Sequence, residues 1–281
     1  MRREAIVVVR GGGDLGTGVA HRLARSGYRV VVLEAASPRV VRRAAALAQA
    51  VLDGDTVVEG VLGRRASVDD LPGLLASDSR FGAARGPVVP VSIDPDGRAI
   101  EVLRPAAIVD ARMAKRNLGT TRGDADVTIG LGPGFVAGDD VDLVVETKRG
   151  NGMGRLIEEG AAEPDTGVPG EVAGVAEARL VKSPAAGRFE ATHAIGDVVV
   201  PGAVVGRVAG SPVTVRIGGM LRGLIADGAD VESGEKIGDV DPRGSSIDPT
   251  AISDKARSVG GAVLEALLSR GVLPGGATTG E

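Results

Sequence analysis

Apolar positions in the first half of the chain fall into short unbroken runs that alternate with stretches at helical spacing. Ala5 to Val9 is a continuous apolar run, as a strand buried on both faces requires. The loop Gly11-Gly12-Gly13-Asp14-Leu15-Gly16 follows. Thr17 to Ser26 then reads as a helix, with Val19, Ala20, Leu23 and Ala24 on one face and Gly27 as its stop. Arg29 to Glu34 is a second buried run. Strand, loop, helix and strand in about 30 residues make one βαβ unit. Pro38 to Val51 and Asp69 to Ala76 predict further helices, and Val57 to Leu62 a strand. Val88 to Val91 contains Pro90, which predicts an edge position. Ala107 to Asp110, Val127 to Gly130 and Leu143 to Glu146 predict three more short strands. The alternation predicts an α/β fold, with a Rossmann-like, mostly parallel nucleotide-binding sheet over residues 1–150.

The second half loses helical spacing and gains an internal repeat with a period of about 32 residues. Gly187, Gly196, Gly202 and Gly206 recur at that offset as Gly219, Gly228, Gly234 and Gly238, and Val199 and Val208 recur as Val231 and Val240. Each half reads as short Val-rich strands joined by glycine turns. Residues 151–250 are expected to form a small β-barrel resembling the barrel-sandwich hybrid of biotinyl and lipoyl domains. Such carriers hold a modifiable lysine between their halves. Here the junction is Ala209-Gly210-Ser211-Pro212, which disfavours a carrier role. Ser253-Asp254-Lys255 predicts the cap of a closing helix within 251–270, and 271–281 reads as a flexible tail.

Composition removes several classes of function. A formal charge of −4, from 33 basic and 37 acidic residues, gives no general pull toward nucleic acid or anionic lipid. Three Phe, one Tyr and no Trp leave no stacking platform for single strands. Without cysteine there is no disulfide, iron–sulfur cluster or thiolate zinc site. The two histidines, His21 and His193, fall in different predicted domains, so no metal site is expected. No apolar run approaches the roughly 20 residues of a membrane span, and the expected location is the cytoplasm.

Four loops carry candidate chemistry, each directly after a predicted strand. Gly11, Gly13 and Gly16 have the spacing of a dinucleotide fingerprint, and Glu34 ends the second strand, where such a fingerprint places its acidic residue. Gly11, Gly12, Gly13, Asp14, Leu15, Gly16, Thr17 and Glu34 are therefore the candidate cofactor contacts, for a nucleotide or NAD-like dinucleotide. Glu34 would accept from a ribose diol and repel a 2′-phosphate, whereas Asp14 would repel a pyrophosphate unless it caps the helix. Asp110, Arg112, Lys115, Arg116 and Asn117 form a polar, cation-rich loop suited to a small anionic ligand. Gly132 and Gly134 expose backbone N–H groups as a candidate anion nest, and Lys148 and Arg149 follow the last strand. A parallel sheet would open all four loops on one edge. No Ser–His–Asp arrangement and no acid/base histidine stand out, so no catalytic residue is assigned.

Longer strings carry a resemblance. Arg10 to Gly18, Asp110 to Asn117, Gly130 to Phe135, Asp165 to Gly170, Gly238 to Gly244 and Ile252 to Arg257 resemble the accessory proteins of the selenium-dependent molybdenum hydroxylase system, over nearly the whole chain. In theme that family is related to the xanthine dehydrogenase accessory factors. The resemblance implies maturation of molybdenum hydroxylases, handling of a nucleotide-bearing molybdenum cofactor, and a hydroxylase or another maturation factor as partner; a homo-oligomer is left open. The chain departs after Glu146, where it reads Thr-Lys-Arg-Gly-Asn against the expected Thr-Asn-Arg-Gly-His. The alternatives are an NAD-dependent oxidoreductase and a non-enzymatic scaffold or carrier-like module.

Overall fold

The computed structural model describes residues 5–76, 86–165, 167 and 170–275, and the chain divides into two compact units. The first comprises Met1–Pro38, Leu47–Asp165 and Ile252–Glu281, and the second Arg39–Ala46 and Thr166–Ala251. The boundary expected near residue 150 therefore moves to Asp165, and the closing helix belongs to the first unit. Of the tail expected over 271–281, residues 276–281 lie outside the described residues.

In chain order the first unit contains β1 (Ile6–Arg10), α1 (Asp14–Arg25), β2 (Arg29–Glu34), α2 (Ala50–Asp53), β3 (Asp55–Val58), β4 (Val61–Arg65), α3 (Leu71–Ala76) and β5 (Val88–Ile93). It continues with α4 (Arg98–Leu103), β6 (Ala107–Asp110), β7 (Val127–Leu131), β8 (Val136–Ala137), β9 (Leu143–Val145), β10 (Leu156–Ile157) and β11 (Gly160–Ala161). It closes with α5 (Asp254–Ser269). One nine-stranded sheet runs in the order β10-β9-β7-β6-β1-β2-β5-β4-β3, and β8 pairs with β11 apart from it.

This arrangement overturns the expected fold class, both the Rossmann-like sheet and the small barrel. The sheet is mixed, because β3 pairs antiparallel with β4 and β10 antiparallel with β9. Beyond β2 the next neighbour is β5; β3 and β4 fold out as a hairpin beyond it. No α-helix lies between β6 and β7 or between β7 and β9, and α3 and α4 are six residues each. The predicted Pro38–Val51 helix is instead two 3-10 turns, Arg43–Ala45 and Leu47–Gln49, ahead of the four-residue α2. The strand predicted over Val57–Leu62 is the β3–β4 hairpin, turning at Glu59 and Gly60 with φ of 45° and 80°. β5 is an interior strand rather than an edge. It tolerates Pro90 because its ladder to β2 begins one residue later, at Val91.

The core of the first unit follows from the apolar runs. Val7, Val9, Val30 and Val32 face Leu23 of α1 and Val259, Val263 and Leu267 of α5 in one buried cluster. The two helices lie close because glycine removes the side chains between them. A Cβ on Gly18 would sit 2.5 Å from the Ala256 carbonyl oxygen, and one on Gly260 would sit 2.6 Å from that of Gly18. No helix among the described residues is long and apolar enough to cross a membrane.

The second unit holds β12 (Leu180–Lys182), β13 (Gly187–Ala191), β14 (Val198–Val199), β15 (Val204–Val208), β16 (Ser211–Thr214), β17 (Gly219–Leu224), β18 (Asp230–Val231) and β19 (Lys236–Asp241). These form two four-stranded sheets, β12-β19-β17-β14 and β16-β15-β13-β18. The starts of β13, β14 and β15 recur one repeat later at the starts of β17, β18 and β19. Each sheet borrows a strand from the other half: β14 joins β17, and β18 joins β13. Phe189, Val205, Val208, Leu221, Ile237 and Val240 fill the core. The segment 39–46 is tied in by the hydrogen bond from Leu224 N–H to the Val41 carbonyl, 2.8 Å.

Candidate functional site

In the first unit the chain leaves β1 toward β2 on one side and later returns to β6 on the other. Open sheets bind ligands outside the carboxyl ends of the strands where the order reverses in this way. Here those ends carry Gly11 after β1 and Ala111 after β6. A Cβ on Gly11 would lie 3.1 Å from the Ala111 carbonyl and from Arg112 Cα. One on Gly134 would lie 2.5 Å from the Arg116 backbone nitrogen, and one on Gly132 would lie 2.4 Å from Thr147 Oγ1. The loops after β1, β6, β7 and β9 thus meet on one edge.

Within that edge the glycine loop is occupied by its own chain. A Cβ on Gly12 would lie 2.9 Å from the backbone nitrogen of Ala48, which itself donates to the Gly12 carbonyl at 3.0 Å. Thr17 is fully buried; its hydroxyl donates to the Gly12 carbonyl and accepts from Leu47 N–H. Glu34 accepts from Gly12 N–H through one oxygen and from Ala35 N–H through the other, both at 2.8 Å. Leu15 is buried in the core. Gly16 packs on the Gly11 carbonyl, and Gly13 is the N-cap of α1 with no side-chain cap bond. Asp14 accepts from the Ser253 hydroxyl at 3.2 Å, which joins the N-terminal ends of α1 and α5. Self-packing therefore accounts for Gly12 and Gly16, and Gly11 is needed both for packing and for its left-handed backbone at φ 97°. The glycine spacing lends no support to a pyrophosphate lying against Gly12.

The cationic loop after β6 splits into two groups. Asp110 is 1% exposed and binds Arg112 through the guanidinium and backbone N–H, and it also accepts from the Thr120 hydroxyl at 2.7 Å. Asn117 accepts from Gly119 and Thr120 N–H and donates to the Thr120 carbonyl. Asp110, Arg112 and Asn117 thus brace the loop from inside. Lys115, held at φ 61°, pairs with Asp165 at 2.5 Å. Arg116 is exposed and has no ion-pair or hydrogen-bond partner among the described residues.

After β9, Glu146 is buried and accepts from Lys148 N–H and Glu163 N–H, both at 2.7 Å. Lys148 pairs with Glu163, and that hydrogen bond raises its pKa above the usual lysine range. Arg149 forms a two-pronged pair with Asp254, at 2.6 and 2.7 Å. This pair brings in the residue that sequence reasoning missed, Lys255 in the first turn of α5. Burial holds its ammonium pKa below the usual lysine range, and Arg149 adds to that; Asp14, Glu146 and Asp165 oppose it. Lys255 makes no direct hydrogen bond or ion pair among the described residues. The sequence flagged Ser253-Asp254-Lys255 only as a cap. That α5 returns beside α1 is a long-range contact that spacing does not announce. No group of three or more His, Asp or Glu suited to a metal occurs among the described residues.

No family model matches the chain. It is similar to the uncharacterized protein YqeB of Escherichia coli K12, at 44% identity over 263 residues and 94% of this chain. The chain spans 47% of that relative's length. Among solved structures, it is similar to a succinylglutamate desuccinylase/aspartoacylase from Rhodobacter sphaeroides, at 15% identity, TM-score 0.26, covering 84% of this chain and 85% of that one. An aspartoacylase family protein from Mesorhizobium loti gives 13% identity and TM-score 0.27, covering 84% of each chain.

Proposed function

We propose that this chain is a maturation factor for molybdenum hydroxylases, and that it holds a phosphate-bearing nucleotide, or the nucleotide-bearing molybdenum cofactor, as cargo at the loop edge. The observation that carries the binding part is Lys255, a half-buried cation beside three carboxylates and Arg149 with no direct ion partner among the described residues. Such a charge is stabilised by an incoming anion more than an exposed one would be, because less water screens it. Arg116, exposed on the adjoining loop, supplies a second cation, one that water screens more strongly. The maturation part rests on the resemblance of the long strings around these residues to the accessory family. The residues suit the phosphate end of such a ligand. A dinucleotide laid across Gly12 does not fit, because Ala48 covers that face. Within this reading the chain binds and orients: Lys255 and Arg116 hold the anion, and the Asp110–Arg112 brace fixes the loop that carries Arg116.

Calorimetry with cytidine and adenosine 5′-diphosphates tests the binding part. Losing a charge-assisted contact worth about 1.5–3 kcal/mol should weaken affinity roughly 10- to 150-fold in Lys255→Ala. Wild-type protein that binds neither probe at millimolar concentration overturns this part, as does a folded Lys255→Ala variant of unchanged affinity. Native mass spectrometry of protein from cells making a molybdenum hydroxylase tests the cargo. A pterin-nucleotide mass supports the cofactor, whereas a bound NAD mass would move the reading to an oxidoreductase. Full hydroxylase activity in cells lacking this chain would overturn the maturation role.

A further inference from the structure

Along α1, His21, Arg22, Arg25 and Arg257, with Gly18 and Ile252, line a cavity of about 330 Å³ within the first unit. We infer that this cavity is a second ligand site, for a small dianion such as a phosphate ester or a short dicarboxylate, held by Arg22, Arg25 and Arg257 with His21 as its proton-responsive wall.

The charge balance is the first argument. Arg257 on α5 pairs with Glu59 in the β3–β4 turn. The guanidinium groups of Arg22 and Arg25 have no ion-pair or hydrogen-bond partner among the described residues. With His21 neutral, the cluster carries two uncompensated positive charges, which one dianion neutralises. Basic residues in the last turn of α1 offset its helix dipole, and that alone would explain Arg22 and Arg25 on an open surface. It does not explain a third arginine arriving from α5 over the same cavity. The second argument is chemical. Guanidinium groups offer paired donors matched to phosphate and carboxylate. The volume lies at the low end of the roughly 300–1,000 Å³ range of ligand pockets, which suits a compact ligand. Scarce aromatics argue against a nucleobase stacked there.

His21 supplies the third argument and the readout. Its Nε2 lies 3.2 Å from the Glu59 carbonyl, so the neutral ring donates there and leaves Nδ1 as acceptor. Burial holds its pKa below the usual histidine range; the Glu59 carbonyl and carboxylate raise it, and Arg25 and Arg257 lower it further. The carboxylate of Glu59 is itself engaged by Ile252 N–H and Arg257. An anion seated among the arginines favours the imidazolium, so binding raises the His21 pKa and affinity rises as pH falls through it.

Proton NMR of the intact chain tests this directly, because His21 and His193 are its only histidines and His193 lies in the other unit. His21→Gln assigns the signal. Inorganic phosphate and succinate are titrated separately, against chloride at matched ionic strength. The expected result is a rise of about one unit in the His21 pKa with phosphate or succinate, and none at His193. Phosphate alone assigns the site to phosphate esters, and succinate alone assigns it to dicarboxylates. Arg25→Ala and, independently, Arg22→Gln should each weaken that response about tenfold with the His193 signal unchanged. An equal effect of chloride, or no movement of His21 with either dianion, overturns the proposal. The loop-edge reading is unaffected, since Lys255→Ala leaves this cavity intact.

Discussion

The repeat of the second unit and the first loop and helix of the first unit use glycine for different reasons. In the second unit two of the repeated pairs are matched in conformation. Gly202 and Gly234 have φ of 84° and 78°, and Gly196 and Gly228 have 104° and 76°. Nothing lies within 4 Å of where a Cβ on Gly202 or Gly234 would sit, so the left-handed backbone alone calls for glycine there. In the first unit Gly12, Gly16 and Gly18 lack positive φ, and each is required by a neighbouring backbone: Ala48, Gly11 and Ala256. Spacing along a sequence reports that glycine is needed. It does not report whether conformation, self-packing or a ligand is what needs it.

If self-packing is the reason in the first unit, filling the α1–α5 contact should have the largest effect. Gly18→Val places a branched side chain against the Ala256 backbone, which cannot swing away as a side-chain tip could. Overpacking of this kind typically costs about 1–3 kcal/mol and occasionally more, and here we expect at least the upper figure. Urea unfolding, with hydrogen exchange of α5 amides as the local probe, measures it. A loss below about 1 kcal/mol would mean the helices separate easily and that Gly18 is not a packing glycine.

The second unit contains one pair of the packing kind, which sharpens the contrast. Gly206 and Gly238 lack positive φ; a Cβ would meet the Phe189 ring at 2.4 Å in one case and the Val181 Cβ at 2.9 Å in the other. Alanine at either should cost about 1–3 kcal/mol, with Gly206→Ala the larger because the Glu190 carbonyl also stands 2.6 Å away. Urea midpoints of the two variants rank them. A larger loss at Gly238 would show that the Phe189 ring yields more readily than Val181.

How far the sequence reached follows the same division. The runs Ala5–Val9, Arg29–Glu34, Ala107–Asp110 and Leu143–Val145 were legible as strands because buried strands need consecutive apolar residues. Their sheet order was not legible, since no local pattern says that β5 rather than β3 lies beside β2. That order is part of why the expected Rossmann-like class failed. The four loops of the candidate site were legible as strand-following segments. Their contents were only partly so: Arg112 and Asn117 turned inward to Asp110 and Thr120, because a buried carboxylate and open turn amides need partners. Lys255 was hidden for the reason given by Gly18. Both depend on α5, the last helix of the chain, packing beside α1, the first.

The smallest expected effect is also the sharpest test of the repeat. Gly202 donates to the Val215 carbonyl at 2.9 Å. Its counterpart Gly234, in the second half of the repeat, donates to the Ser183 carbonyl at 2.8 Å, and Ser183 stands in the first half where Val215 stands in the second. The two turns therefore share φ, open surroundings and the same hydrogen bond reflected between the halves. Alanine at either must hold a left-handed backbone, which costs an L-residue roughly 1–2 kcal/mol. Asparagine tolerates that conformation better, so Gly234→Asn and Gly202→Asn should each lose about half a kcal/mol or less. Because no neighbour lies close to either position, the alanine losses at the two sites should agree within about 0.5 kcal/mol in urea unfolding. Agreement would mean that the repeat is energetic as well as geometric. A gap of more than about 1 kcal/mol would show that the two halves, though alike in backbone, are strained differently.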